Sequence, residues 1–433
     1  MKAEIRKFQE FEAYEEVDDE GQSSIPIRWV VTKNPDSGKN QPIKARLCIR
    51  GDLEKNKAEV RSDSPTIAKE TLKMAIFVAA NEGFDVKSVD IKSAYLQGNE
   101  LERKIFVKPP SEAETEKLWL LKKAAYGILD GGRLFYLRLE ERLKELGMHK
   151  VNTEGALFTY VKNGKLHGIV VSHVDDLLLA GDEEFKMDIE SKLKIYFKLS
   201  KIETGSFNYC GCRIIMLKNG DIQLDQNEYA DKIKMIEFDE DDDKRELRPE
   251  EQKILRGKIG EILWISLMTR PDLSFEVNRM ATEVPKATVK NFKEMNQLIK
   301  RVQSRRKVLN FSKLGSLEEL RVKLYTDASY NNLNDKIHST EGRVLMVENK
   351  NTEKLCVISW KTKKIPRICR SVKSAETRTL DDDGIDDAVH TAVDDLVTLE
   401  DFNFNAYKAC LPPLSVGMLR YALNPCLMLG FYV

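Results

Sequence analysis

Two adjacent aspartates, Asp175 and Asp176, interrupt a strongly apolar run, His173-Val-Asp-Asp-Leu-Leu-Leu-Ala180. Neighbouring carboxylates repel each other and cost desolvation unless cations sit between them. A pair of divalent metal ions supplies that compensation: in two-metal phosphoryl transfer, ions about 4 Å apart activate a 3′-hydroxyl and hold a triphosphate. Such a centre needs a third carboxylate from a neighbouring strand, and Asp90, at the end of an extended stretch, is the natural candidate. Taken alone, the Asp-Asp pair is better read as an ordinary exposed turn, where aspartate is common. Asp90 alone is no more informative.

The elements that must position these carboxylates follow from local pattern. Residues 28–32 and 43–49 read as short strands around a Pro-Asp-Ser-Gly turn at 35–38. Leu72, Ile76 and Ala79 recur at helical spacing over about 66–82, and Gly83 closes that helix. Phe84 to Ile91 has the two-residue alternation of a strand, with Asp90 near its end. A second helix covers about 132–146, with Phe135, Leu139 and Leu143 on one stripe and Gly147 behind it. Residues 156–180 read as consecutive hairpins, with Asn163-Gly164 a two-residue turn and Asp175-Asp176 at a hairpin tip.

Further along, the acidic run 238–243 reads as a solvated linker, and 250–308 as mostly helical. Lys286 to Lys307 holds eight basic residues against one acidic residue, Glu294, and could either track a phosphate backbone or lie solvated. A new β pattern starts at Val322 and gives way to a helix near Ser374. The order argues for separate modules.

Bulk composition narrows the field without naming a function. The 433 residues suffice for two or three domains. Hydrophobic residues at 42% and charged residues at 32% fit a folded protein rather than a disordered one. The 70 basic and 70 acidic side chains cancel, so any nucleic-acid signal must come from placement. The seven cysteines show no zinc spacing and read as reduced, intracellular thiols. No apolar run reaches transmembrane length. The polar N-terminus reads as neither signal peptide nor capped start, as if cut from a longer polyprotein.

Five blocks then resemble, in order, those of copia-type long-terminal-repeat retrotransposon Pol polyproteins. Lys44-Ala-Arg-Leu-Cys-Ile-Arg-Gly51 is similar to the fingers motif, and Val89-Asp-Ile-Lys-Ser-Ala-Tyr-Leu-Gln-Gly98 to the first polymerase motif. Ala125-Tyr-Gly-Ile-Leu-Asp-Gly-Gly-Arg133 resembles the block between the catalytic carboxylates, and His173 to Gly181 the catalytic hairpin. Thr269-Arg-Pro-Asp-Leu-Ser-Phe275 is similar to the joint between polymerase and RNase H. The resemblance implies an α+β right-hand polymerase, with palm and fingers built on antiparallel sheet. A helical connection and a partial RNase H-like α/β domain would follow. It divides the chain into a reverse transcriptase (1–245, with a primer-side segment near 190–224), a connection (246–315), a partial RNase H-like domain (316–403) and an atypical tail (404–433).

The same resemblance implies roles. Asp90, Asp175 and Asp176 would bind two Mg²⁺ or Mn²⁺ ions. Lys44 and Arg46 would meet the incoming triphosphate, Tyr95 would lie under the sugar and exclude a ribose 2′-hydroxyl, and Arg133 would touch template or triphosphate. On their own, these four read as solvated or half-buried side chains. Asp130 departs from the pattern, since an extra acid there would repel a triphosphate unless it points away. The implied partners are an RNA template, a DNA primer, deoxynucleoside triphosphates and other Gag-Pol products, in cytoplasmic particles and without a membrane. Oligomeric state is left open.

Tyr325-Thr-Asp-Ala-Ser329, Ser359 to Lys364 and Lys373 to Thr377 resemble RNase H blocks, implying Asp327 and Glu376 as metal ligands. The expected later Asp-Asn block is missing, and the acids from Asp381 to Asp395 come too early. The patternless tail beyond 403 reads as a frameshift or mis-joined exon, so little RNase H activity is expected. The alternative to an active polymerase is a decayed or domesticated relic that binds nucleic acid without catalysis. The order of the blocks argues against a nucleotidyl cyclase or another two-metal enzyme.

Overall fold

The computed structural model describes residues 1–375, apart from 34–42, 56, 240–241, 331–332 and 334–337. In chain order the elements begin with helix α1 (Lys2–Glu10), strands β1 (Tyr14–Val17), β2 (Ser24–Lys33) and β3 (Ile43–Ile49), and helix α2 (Lys69–Glu82). There follow β4 (Asp85–Ile91), β5 (Phe106–Lys108), β6 (Leu118–Leu121), α3 (Gly131–Glu145), β7 (His149–Lys150), β8 (Leu157–Lys162), β9 (Lys165–His173) and β10 (Asp176–Gly181). A π-helical turn joins α4 (Glu183–Phe185) to α5 (Ser191–Tyr196). Then come β11 (Leu199–Thr204), β12 (Ser206–Tyr209), β13 (Cys212–Met216), β14 (Ile222–Asp225) and α6 (Asn227–Asp231). Helices α7 (Pro249–Met268), α8 (Ser274–Glu283) and α9 (Val289–Ser304) precede β15 (Leu309–Phe311), β16 (Leu320–Ser329), β17 (Thr340–Asn349) and β18 (Leu355–Lys364).

Two compact units result: Met1–Ile67 with Lys87–Ile202, and Ala68–Val86 with Glu203 onward. In the first, one sheet runs β1-β6-β5-β2-β3 and a second runs β11-β4-β10-β9-β8-β7. The amphipathic stripe of α3 explains its seat. Phe135, Leu139 and Leu143 are each at most 1% exposed, and they cluster with Val89, Ile91, Phe158, Val170, Leu177 and Leu179 of the second sheet. Its outer face carries Arg138–Glu141 and Lys144–Glu140 pairs. The Asn163-Gly164 turn has both residues at positive φ, +52° and +71°, as a two-residue hairpin turn requires.

The second unit holds the antiparallel sheet β12-β13-β14-β15 and the antiparallel meander β16-β17-β18. Helices α7, α8 and α9 bury Leu255, Ile262, Val277, Phe292, Met295 and Ile299 against one another. Segment 246–315 thus supplies β15 to a sheet whose other strands lie before residue 245. The acidic linker is not wholly solvated. Phe238 packs on this helical core with its ring 5.5 Å from Phe292, and Asp243 pairs with Lys293. An aromatic at the head of an acidic run outweighs the run's polarity once an apolar groove is available. Glu376, the acids 381–395, the tail 404–433 and the turn at 35–38 lie outside the described residues. No helix among the described residues is long and apolar enough to cross a membrane.

Candidate active site

Strand β10 pairs with β9 so that His173 faces Asp176, leaving Val174 and Asp175 as the turn. Val174 has φ +58°, a left-handed conformation that a β-branched residue adopts only under constraint. The other neighbour of β10 is β4, and the amide of Ile91 donates to the carbonyl of Asp175 at 3.1 Å. Asp90 and Asp175 are thereby brought together, although 85 positions separate them in the sequence.

Their charges act on each other. Burial pushes the Asp90 carboxyl up from its ordinary value and the Asp175 charge pushes it further, while Lys44 and Lys201 pull it down. The Ser200 hydroxyl donates to the Asp90 carboxylate. Tyr95 lies in the turn Ala94–Gln97, directly after β4; burial and Asp175 together raise its phenol. Gly98 ends that turn because a Cβ there would lie 2.9 Å from the Phe135 backbone nitrogen of α3.

Lys44 and Arg46 stand two residues apart on β3, on the face opposite the buried Leu47 and Ile49. Neither makes an ion pair among the described residues, and Lys44 acts on Asp90. Arg133 takes a different position: its guanidinium pairs with Asp63 at 3.0 Å. Asp130 is buried and turned into Arg103, with contacts of 2.6 and 2.9 Å, and Arg103 also holds Glu54. The extra acid is therefore neutralised inside the protein, which answers the repulsion its sequence position suggested.

The carboxylates form no closed metal cage. Among the described residues, no three His, Cys, Asp or Glu side chains stand close enough to hold an ion. Asp176 opens β10 opposite His173, and the Asp175 charge reaches Asp90, Tyr95 and Tyr126. A carboxylate pair with open positions fits magnesium, which usually takes one or two protein carboxylates and completes its shell with waters and substrate phosphates.

Tyr126 was not singled out from sequence, although it sits inside the block Ala125–Arg133. Its ring meets Tyr95 edge-on at 5.0 Å, and the Arg46 guanidinium carbon lies 5.6 Å from its centroid. Arg103 and Glu54 were also missed; no periodicity marks either.

The basic segment 286–307 is largely satisfied internally. Lys290, Lys293, Arg301, Arg306 and Lys307 all face carboxylates, leaving Lys286, Lys300 and Arg305 without an ion pair among the described residues. Asp327 is exposed on β16, opposite Gly342 of β17.

Antiparallel sheets in a mixed α+β chain, with the strand carrying Asp90 tied to the turn carrying Asp175, make this a protein of the polymerase fold. The chain belongs to the reverse transcriptase (RNA-dependent DNA polymerase) family, whose model matches residues 11–244. It is 23% identical over 385 residues to the retrovirus-related Pol polyprotein from transposon RE1 of Arabidopsis thaliana, covering 82% of this chain and 25% of that protein. To the transposon Ty1-GR3 Gag-Pol polyprotein of Saccharomyces cerevisiae it is 24% identical over 416 residues, 87% of this chain and 22% of that one. The chain therefore spans about a quarter of the length of these curated relatives, and its copia-type character holds. Among solved structures, the foamy viral protease-reverse transcriptase dRH in complex with ds DNA shares the fold. The TM-score is 0.51 at 13% identity, covering 91% of this chain and 60% of that one.

Proposed function

We propose that this chain is an RNA-directed DNA polymerase of a copia-type retrotransposon, extending a primer on an RNA template by nucleotidyl transfer. The observation that carries the reading is the meeting of Asp90, near the end of its strand, with the turn carrying Asp175, where the Lys44 charge also acts on Asp90. Two like charges held together this way are compensated by divalent cations, as a two-metal centre requires. Bound Mg²⁺ or Mn²⁺ would neutralise triphosphate charge and favour ionisation of the primer 3′-hydroxyl.

The chain's own residues have distinct tasks. Asp90, Asp175 and Asp176 would hold the ions. Lys44 and Arg46 offer cationic donors to the phosphates, where charge develops. Tyr95 supplies the surface under the sugar. Arg133, engaged by Asp63, contributes to the nucleotide only by leaving that partner. The foamy viral relative was solved with double-stranded DNA, and a template–primer duplex is the matching partner for this chain. Cytoplasmic particles are the matching location. The division into reverse transcriptase (1–245), connection (246–315) and partial RNase H-like domain (316–403) is part of the same proposal. Little hybrid cleavage is expected, because no Asp-Asn block at the family's spacing follows Asp327 and Glu376 in this sequence.

Primer extension on an RNA template with Mg²⁺ or Mn²⁺ tests the reading, with Asp175→Asn as control. Extension by the parent and none by the variant supports it. Salt-dependent nucleic-acid binding without any extension would identify a decayed relic instead.

A further inference from the structure

Tyr126 stands between Arg46 and Tyr95. We propose that Tyr126 is a positioning residue that locks Arg46 and Tyr95 into one cradle for a nucleoside triphosphate, coupling phosphate contact to sugar contact. The inference rests on the polymerase reading for the location of the substrate.

The backbone under Tyr126 is fixed. The amide of Ile49, at the end of β3, donates to the Tyr126 carbonyl at 2.8 Å. Next to it, Gly127 and Gly51 are packed backbone to backbone. A Cβ on Gly127 would fall 2.0 Å from the Ile49 carbonyl oxygen, and one on Gly51 would fall 2.2 Å from that of Gly127. The strand carrying Lys44 and Arg46 and the loop carrying Tyr126 are therefore held together by backbone contact. Ala124 and Ala125, buried to within 1%, anchor the loop from below.

The side chain then reaches both halves of a nucleotide site. On one side the Arg46 guanidinium lies over the ring, its carbon 5.6 Å from the centroid, where its charge acts on the phenol. A neutral aromatic orients an arginine without cancelling its charge, unlike the carboxylates that hold Arg103 and Arg133. Arg46 is thus aligned and still available to an anion. On the other side the ring meets Tyr95 edge-on, at 5.0 Å and 61°. Burial, with the nearby Asp175 charge, pushes the Tyr126 phenol up to about 12, so its hydroxyl keeps its proton. The arrangement suits a triphosphate on the arginine and a sugar against the two rings.

The test is equilibrium binding of a fluorescent deoxynucleoside triphosphate to the full chain with template–primer and Mg²⁺. It compares wild type, Tyr126→Phe, Tyr126→Ala, Arg46→Ala and the Tyr126→Ala/Arg46→Ala double variant. Tyr126→Phe should weaken binding about 3-fold and Tyr126→Ala about 10-fold, with little further loss in the double variant. Binding of the ribonucleoside triphosphate should fall less than that of the deoxy form in Tyr126→Ala, a loss of discrimination that a merely structural defect would not produce. Tyr126→Phe keeps the ring and the fold, so an unfolded alanine variant does not remove the test. Losses that multiply independently, changes within 2-fold, or no triphosphate binding by the wild type would overturn the proposal. Tight, Tyr126-dependent binding without primer extension would leave it standing and sink the polymerase reading instead.

Discussion

The amide of Ile91 donates to the carbonyl of Asp175 at 3.1 Å, one backbone bond that ties β4 to the turn between β9 and β10. It sets Asp90 where the Asp175 charge acts on it, with Lys44 and Lys201 only partly offsetting burial and that charge. That arrangement works against folding in the metal-free protein. Burial and Asp175 raise the Asp90 carboxyl, so the native state binds that proton more readily than the unfolded chain does. Stability contributed at this site is therefore lost as pH rises above the ordinary carboxylate range.

Asp90→Asn is expected to raise the melting temperature of the metal-free protein at pH 7 while primer extension falls at least about 1,000-fold. Adding Mg²⁺ should raise the melting temperature of the wild type and leave that of the variant nearly unchanged. Scanning calorimetry in chelator and then in Mg²⁺ checks both. A variant less stable than the parent in chelator would show that Asp90 is not under repulsion.

A second prediction concerns Val174, held at φ +58° in the same turn. A left-handed β-branched residue costs roughly 1–2 kcal/mol, and glycine is free of that strain. Val174→Gly should therefore stabilise the protein by about 1 kcal/mol in urea unfolding. Val174→Ile, which keeps the strain, should not. If glycine stabilises no more than isoleucine, the turn is not strained.

Arg103 carries the third. It is the common partner of Glu54 and Asp130, whose side chains are 7% and 11% exposed. Against the opposing effect of burial, these two partners raise its guanidinium. Removing it leaves two nearly buried carboxylates without a cation, so Arg103→Ala should destabilise by about 3 kcal/mol. Arg103→Ala combined with Glu54→Gln and Asp130→Asn should recover most of that loss. Urea unfolding of the four proteins decides it, and no recovery in the triple variant would mean the carboxylates are stabilised by something other than the arginine.

The local elements around these sites were readable because their signals are local. Strand β3 occupies the predicted 43–49, α3 is displaced by one residue at each end, and the Asn163-Gly164 turn falls where the dipeptide placed it. The pairing of Asp90 with the Asp175 hairpin was legible only through the ordered family-like blocks, because the Asp-Asp pair alone reads better as an exposed turn. Contacts set by tertiary packing were not readable. Arg103 meets Glu54 and Asp130 across 49 and 27 positions, and Tyr126 meets Arg46 across a loop and a sheet, with no period to announce either. Arg133 had the charge expected of a phosphate contact, but its nearer partner proved to be Asp63.

Lys73 provides the last prediction, and it belongs to the second unit. It is 1% exposed on α2, its ammonium 3.9 Å from the centroid of the Trp360 ring on β18. The ammonium also donates to the Leu267 carbonyl at 3.1 Å, and the Trp360 indole donates to the Ser266 carbonyl at 2.7 Å. Two side chains remote in sequence thus cap the last turn of α7, where helix carbonyls lack partners. Burial depresses the Lys73 ammonium to about 8, so between there and its ordinary 10.5 the unfolded chain binds the proton that the native state has lost. Stability must then rise with pH across that window, because the cost of burying the charge disappears. The rise should total roughly 3 kcal/mol, the free energy of a shift of this size. Lys73→Met has no such proton, so the difference in unfolding free energy between wild type and variant should climb in favour of wild type from pH 8 to 10.5. A difference that stays flat across that range, measured in urea at each pH, would mean the lysine keeps its charge against Trp360 and that the indole face compensates for burial in full.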